Sequence, residues 1–273
     1  MKNFLKKKIR KIVDMSFIFL AKITKTNLTL VGYYQKGILK HGTDETSGEK
    51  FVIENVLKNR LLSEKPIFFD VGSNTGYYSV SLKKQFPHST IYSFEANINT
   101  FNKISKEALS SDIKFHNLGL ASTPGIGSIY DYKENVGTEH ASIYKEVLTV
   151  IHHSKEVEEI KFSRETLDNF CSKFKIDEID FLKIDTEGSE FDVLKGSEIM
   201  LRENKIKIIQ FEFNETNVFS KVFLKDYYDI LSNYNIYRID SKKIIPLPEY
   251  KTENEIFKYQ NFLAISKSID ISS

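Results

Sequence analysis

The stretch FFDVGSNTGYYSV, residues 68–80, constrains the fold of this chain more than any other segment. Residues 68–71 form a short apolar run suited to a buried strand, and a helical pattern begins near Tyr77. Between them stand Gly72 and Gly76. A strand that ends on glycine and resumes as a helix is the entry unit of a parallel α/β sheet, where ligands bind outside the carboxyl ends of the strands. Gly72 lets the backbone turn and approach a ligand closely, and Gly76 lets the helix begin hard against it. A dinucleotide site seats pyrophosphate on that helix N-terminus and wants G-x-G-x-x-G. Here the turn reads G-x-x-x-G, with Asn74 where a middle glycine would stand and Asp70 just before it. A carboxylate at that point suits an ammonium group better than a pyrophosphate, which points to a zwitterionic, cationic ligand such as S-adenosylmethionine.

The text around the turn extends the same architecture. Strands are expected at PIFFDVG (66–72), STIYSFEA (89–96), IKFHNLGLAS (113–122), IDFLKIDTEG (179–188), KIKIIQFEFN (205–214), YNIYRID (234–240) and QNFLAIS (260–266). Helices are expected at 76–86, 98–110 and 220–231, and from Ser189 to about 201, where Ser189 and Asp192 have capping-box spacing. Alternating strands and helices predict an α/β fold with a largely parallel sheet, the last two strands forming an antiparallel pair at its edge. Glu95, ending the second strand, is placed to accept hydrogen bonds from ribose hydroxyls. Asn117 and Leu118, ending the third strand, are placed to border an adenine. Residues 121–164 read as a long insertion covering a substrate site.

Charge divides the chain. Residues 1–40 hold ten Lys/Arg and one acid (+9), whereas residues 41–273 hold 29 basic and 36 acidic side chains (−7). An acidic body argues against a nucleic-acid groove across it. We therefore expect a basic arm over 1–45 and a main domain over 46–273. In the arm, Leu5, Ile9, Ile12, Val13, Phe17 and Leu20 recur at helical spacing, but Asp14 and Lys22 bracket only seven residues, far short of the ~20 needed to span a bilayer. An amphipathic helix over residues 1–25 is expected to dock on the body, on a partner or on an anionic membrane surface. The single cysteine, Cys171, fits a reducing compartment, so a cytoplasmic protein is expected, with peripheral membrane contact through the arm.

Absences narrow the reading. No tyrosine is followed by lysine four residues on, there is no G-x-x-x-x-G-K-[ST] loop, and no two prolines are adjacent. These remove the short-chain dehydrogenase pair, the common NTPase loop and the Pro-Pro-Tyr signature of many amino-methylating enzymes.

In their order, FFDVGSNTGYYS, IYSFEAN, NLGLAS, ETLDNF and DFLKIDTEGSEFDVLKG resemble the FkbM family of S-adenosylmethionine-dependent methyltransferases, over about residues 48–213. The KIDTEGSE block is the most specific part. The resemblance implies a seven-stranded Rossmann-like class I methyltransferase fold and O-methylation of a hydroxyl on a sugar, a glycan or a polyketide. By position it assigns Asp70, Gly72, Asn74, Gly76, Tyr77, Glu95 and Leu118 to the cofactor site. Ala96 stands where the family usually has proline.

Methyl transfer to a hydroxyl needs an in-line approach and profits from a nearby base. Asp185, ending the fourth strand, and Glu212, ending the fifth, are the leading candidates, joined by Glu187 and by Glu190, which also suits a helix N-terminus. His140, in the insertion, is a further candidate base. These carboxylates also allow a divalent-metal reading, but no spacing fixes a ligand geometry and no metal is assigned. His152 and His153 are adjacent and would face opposite ways on a strand. Tyr77, Tyr78 and Tyr144 could stack on a sugar face or simply pack in the core. The alternatives to a methyltransferase are a non-catalytic scaffold that keeps the fold, and a nucleotide-sugar oxidoreductase or epimerase, which the missing motifs disfavour.

Overall fold

The computed structural model describes residues 2–61, 63–104, 106–109, 112–133, 141–154 and 156–269. Five strands lie parallel: β1 (Ile67–Val71), β2 (Thr90–Phe94), β3 (Lys114–His116), β7 (Ile179–Ile184) and β8 (Ile206–Phe213). β9 (Tyr234–Asp240), β10 (Lys243–Pro246) and β11 (Gln260–Ser266) add antiparallel pairs, in the order β10-β9-β11-β8-β7-β1-β2-β3. The seven expected strands are present, with β10 as an eighth. β11 inserts between β8 and β9, so the hairpin at the edge is β9–β10 and not β9–β11. The reason is burial. Every residue of β11 is buried, which demands a neighbour on both sides, whereas the half-exposed β10 tolerates the edge.

The central strands β1, β7 and β8 are mostly apolar and almost wholly buried because helices cover both faces. On one face pack the helices Leu167–Phe174, Glu190–Lys195 and Leu224–Ile230, with Phe211 and Tyr227 stacked at 4.4 Å between ring centroids. On the other lie helical residues 49–60 and the helix Tyr77–Gln85. Chain entry to this core begins at Ile38, which is buried, and Leu39 N–H donates to Tyr259 O.

The segment expected as an insertion is mostly a second sheet. β4 (Gly119–Leu120), β5 (Gly125–Tyr132) and β6 (Val157–Glu165) pair in the order β4-β6-β5, β5 and β6 forming an antiparallel hairpin eight pairs long. The expected third strand is therefore split between two sheets, at Asn117 and Leu118. The helix expected over 98–110 reduces, among the described residues, to short turns at Ile98–Phe101 and Lys106–Leu109. The capping box at Ser189 does not form. Its hydroxyl has no partner there, and Asp192 instead accepts from Ser122 N–H and pairs with Lys195.

α1 (Lys2–Thr24) and α2 (Leu28–Gln35) precede the core, and α1 is exposed around nearly its whole circumference. Among the described residues no helix is long and apolar enough to cross a membrane.

Candidate active site

β1 delivers residues 72–76 to the carboxyl edge of the sheet. Gly72 has φ +80°, and a Cβ there would lie 1.7 Å from Asp185 O, so the turns after β1 and β7 meet backbone to backbone. Asp185 N–H donates to Val71 O at 2.9 Å and locks them together. Asn74 also has positive φ, a conformation asparagine tolerates better than most residues. Its N–H donates to Glu95 Oε2 (2.9 Å), while Glu95 Oε1 accepts from Asn97 N–H (2.7 Å). Two backbone donors thus aim this carboxylate while leaving lone pairs for a ligand hydroxyl. Burial pushes the Glu95 carboxyl up to about 7, against the pull of the Asn97 and Asn74 N–H groups.

Glu95 borders a cleft walled by Phe94, Leu118, Leu120, Ile129, Ile143 and Phe162. The Phe162 ring sits between Gly119 and Gly127, where a Cβ would approach it to 2.3 Å or 2.6 Å. Ser142 bridges to Tyr130 on β5 and donates its hydroxyl to Glu187 O (2.7 Å), holding residues 141–143 across the slot. One wall of the slot is thus formed by the second sheet and a short tethered segment.

Gly72, Asn74, Asp185 and Glu187 also face a second, wider cleft, lined further out by His41, His152, Glu212, Asn214 and Tyr259. Asp185, Glu187 and Glu212 each offer an oxygen within 4.8 Å of the others. Burial, followed by the charges of Glu187, Asp185 and Glu190, pushes Glu212 well above the ordinary carboxyl range. Asn214 Nδ2 donates to Glu212 Oε2 at 2.7 Å and fixes its orientation.

A buried polar chain supports this rim. Lys183 Nζ donates to Asp185 Oδ2 (2.8 Å), stands 3.9 Å from Glu49 Oε1 and lies over the Tyr78 ring. Burial alone would lower its pKa, but Asp185, Glu49 and Asp70 outweigh that and hold it charged. Burial likewise pushes Glu49 up to about 7 against the attraction of Lys183. Gln210 links Glu49 to the Tyr78 hydroxyl.

The structure brings Gly72, Asn74, Glu95, Leu118, Asp185, Glu187 and Glu212 together around the two clefts. Other expected residues serve elsewhere. Asp70 lies fully buried beneath the turn, where its Oδ2 accepts from Ser79 Oγ (2.6 Å) and braces the helix, while its Oδ1 has no hydrogen-bond partner among the described residues. Gly76 starts that helix against the Phe115 ring. Asn117 donates to Glu95 O and Ala96 O, holding the end of β2 where it was expected to border an adenine. Tyr77 is 64% exposed and lines a separate surface cleft with Asp44, Glu45 and Lys50, because the helical phase turns it away while Tyr78 turns inward. Glu190 is buried, accepting from Thr186 and Gly188 N–H groups, and so knits the turn after β7. His140 lies outside the described residues. His152 borders the wider cleft at the end of a helical turn, not on a strand.

Sequence reasoning missed Glu49, Lys183, Phe162, His41 and Tyr259. Only Lys183 carried a signal: a lysine inside an all-buried strand must find carboxylate partners. The raised carboxyls predict a pH effect. The folded chain holds protons on Glu49 and Glu95 up to about pH 7, whereas the unfolded chain releases them near 4.5. Stability from these groups is therefore lost as pH rises through 7, on the order of 1 kcal/mol between about pH 6.5 and 8. Calorimetric melting should show a lower Tm at the higher pH and a shallower slope for Glu49→Gln; a Tm that climbs over that interval contradicts it.

The strand order, with its single antiparallel insertion beside β8, defines the class I methyltransferase fold. Residues 70–238 match the family model described as the methyltransferase FkbM domain, and the chain belongs to that family. It is 26% identical over 142 residues to Methyltransferase 1 of Beauveria bassiana (strain ARSEF 2860), covering 46% of this chain and 56% of that protein. It is 26% identical over 161 residues to Methyltransferase sdnD of Sordaria araneosa, covering 50% and 61%. The matched region thus spans less than two thirds of either relative. A solved structure, methyltransferase FkbM from Methylobacillus flagellatus KT, superposes with a TM-score of 0.46 at 14% identity over 81% of this chain and 48% of that one.

Proposed function

We propose that this protein transfers a methyl group from S-adenosylmethionine to a hydroxyl of a sugar, a glycan or a related hydroxylated metabolite. One observation carries the reading: an apolar slot bordered by an aimed carboxylate, Glu95, opens across the Gly72–Asn74 turn onto an acidic rim. The slot's apolar walls suit the adenine ring of the cofactor, and Glu95 has lone pairs for its ribose hydroxyls. When bound, S-adenosylmethionine supplies an electrophilic methyl group on a positively charged sulfur.

The chain's own residues do the rest. Asp185, anchored by Lys183, presents negative charge where the two clefts join. Glu212 is the base: its raised pKa equips it to take the proton leaving the acceptor hydroxyl. Glu187 and Asn214 orient acceptor hydroxyls in the wider cleft. Its acidic rim favours a neutral or amino-bearing polyol over a phosphorylated acceptor.

Calorimetric titration tests the cofactor. S-adenosylmethionine and its demethylated product should bind the wild type in the micromolar range while NAD does not. Glu95→Ala should weaken both by roughly 100-fold, since it removes a charge-assisted acceptor. Equal binding of NAD, or unchanged affinity in the variant, would reject the assignment.

A further inference from the structure

We infer that α1 lies flat on an anionic lipid surface and carries the globular body to it. Eleven large apolar side chains between Phe4 and Ile23 are 45–65% exposed, so the body covers none of them. At about 100° per residue, Leu5, Ile9, Ile12, Val13, Leu20 and Ile23 fall on one side of the helix. Lys7, Arg10, Lys11 and Lys22 fall on the other. Lys8 stands at the border between the two sides, its ammonium over the Phe4 ring, and its long stem can carry the charge up to a headgroup. The helix is about 35 Å long, yet no 18-residue window in it is apolar enough to cross a bilayer. A basic polar face opposite an apolar one is the composition of a helix lying in the membrane interface.

Charge selects the occupant. Residues 1–40 carry +9 and the remainder −7. Two copies packed through α1 would bring two strongly basic helices together, whereas anionic headgroups neutralise them. The same surface repels the acidic body, so the arm is the part held down. Leu28 and Val31 on α2 are also exposed and can extend the contact. This inference is independent of the reaction assigned above.

The chain has no tryptophan, so Phe19→Trp adds a single fluorescent reporter to the intact protein. With vesicles of phosphatidylcholine containing about 30% phosphatidylserine, its emission should shift to the blue, and the protein should sediment with the lipid roughly tenfold more than with phosphatidylcholine alone. Salt at about 0.5 M should weaken the binding. A combined Lys6→Glu, Lys7→Glu, Arg10→Glu and Lys11→Glu variant, and separately Ile12→Asp with Phe19→Asp, should each lose roughly tenfold. Their melting temperatures should match the wild type, because α1 does not pack on the body. Equal partition to neutral and anionic vesicles, or none, overturns the inference. So does a blue shift without lipid that grows with protein concentration, which would make a second copy the occupant.

Discussion

Glu212→Gln is expected to lower the turnover of methyl transfer by roughly 10²–10⁴-fold, the range that general-base catalysis supplies. Affinity for S-adenosylmethionine should change by no more than about threefold, since a neutral amide of the same shape leaves the slot intact. The geometry explains the asymmetry. Glu212 lines the wider cleft but not the apolar slot, and Asn214 holds its carboxylate in one orientation. Its pKa is raised first by burial and then by Glu187 and Asp185, so it becomes a stronger base than an ordinary carboxylate. Turnover in the wild type should rise with pH as this carboxyl loses its proton, and the glutamine variant should lack that limb of the profile. Formation of the demethylated cofactor, followed across pH, measures both. A variant with near-normal turnover and the same pH profile would remove Glu212 from the chemistry.

Gly72→Ala is expected to damage the fold and the site together. The new methyl would stand 1.7 Å from Asp185 O, and that oxygen belongs to backbone held by the bond from Asp185 N–H to Val71 O. The residue also needs φ +80°, which costs a non-glycine residue about 1–2 kcal/mol before any clash. Prising the two turns apart adds to this, so a loss of about 3 kcal/mol or more in stability is expected. Binding of S-adenosylmethionine should fall by over roughly 100-fold, because Asn74 and Asp185 move with the turns. Gly76→Ala makes the control. It has a similar φ, but its Cβ would meet the Phe115 ring at 2.9 Å, and a side chain can yield where backbone cannot. Denaturant unfolding of the pair should rank Gly72→Ala well below Gly76→Ala; equal losses would mean that contact between the turns is not what requires glycine at 72.

Much of this arrangement was legible in the residues because it is local. The strands around Phe69, Leu182 and Ile209 are mostly apolar runs, and such runs in alternation with helices leave few topologies open. Glu95, Asp185 and Glu212 were legible because each closes such a run, and parallel strands bring their carboxyl ends to one edge. Phase and pairing were harder. Tyr77 and Tyr78 are neighbours in the same motif, yet one faces solvent and the other Gln210, as rotation about the helix axis dictates.

Sequence by itself determined the parallel sheet, the glycine turn and the three carboxylates at its rim, all consequences of short-range patterns repeated from strand to strand. Tertiary structure alone decided that Glu49 reaches Lys183 across more than 130 residues of sequence. It also decided that Asp70 is buried against Ser79, and that the β5–β6 pair places Phe162 in the slot wall. The physical reason is that periodicity records which face of an element is apolar, while the partner that covers the face is chosen by packing across the whole chain.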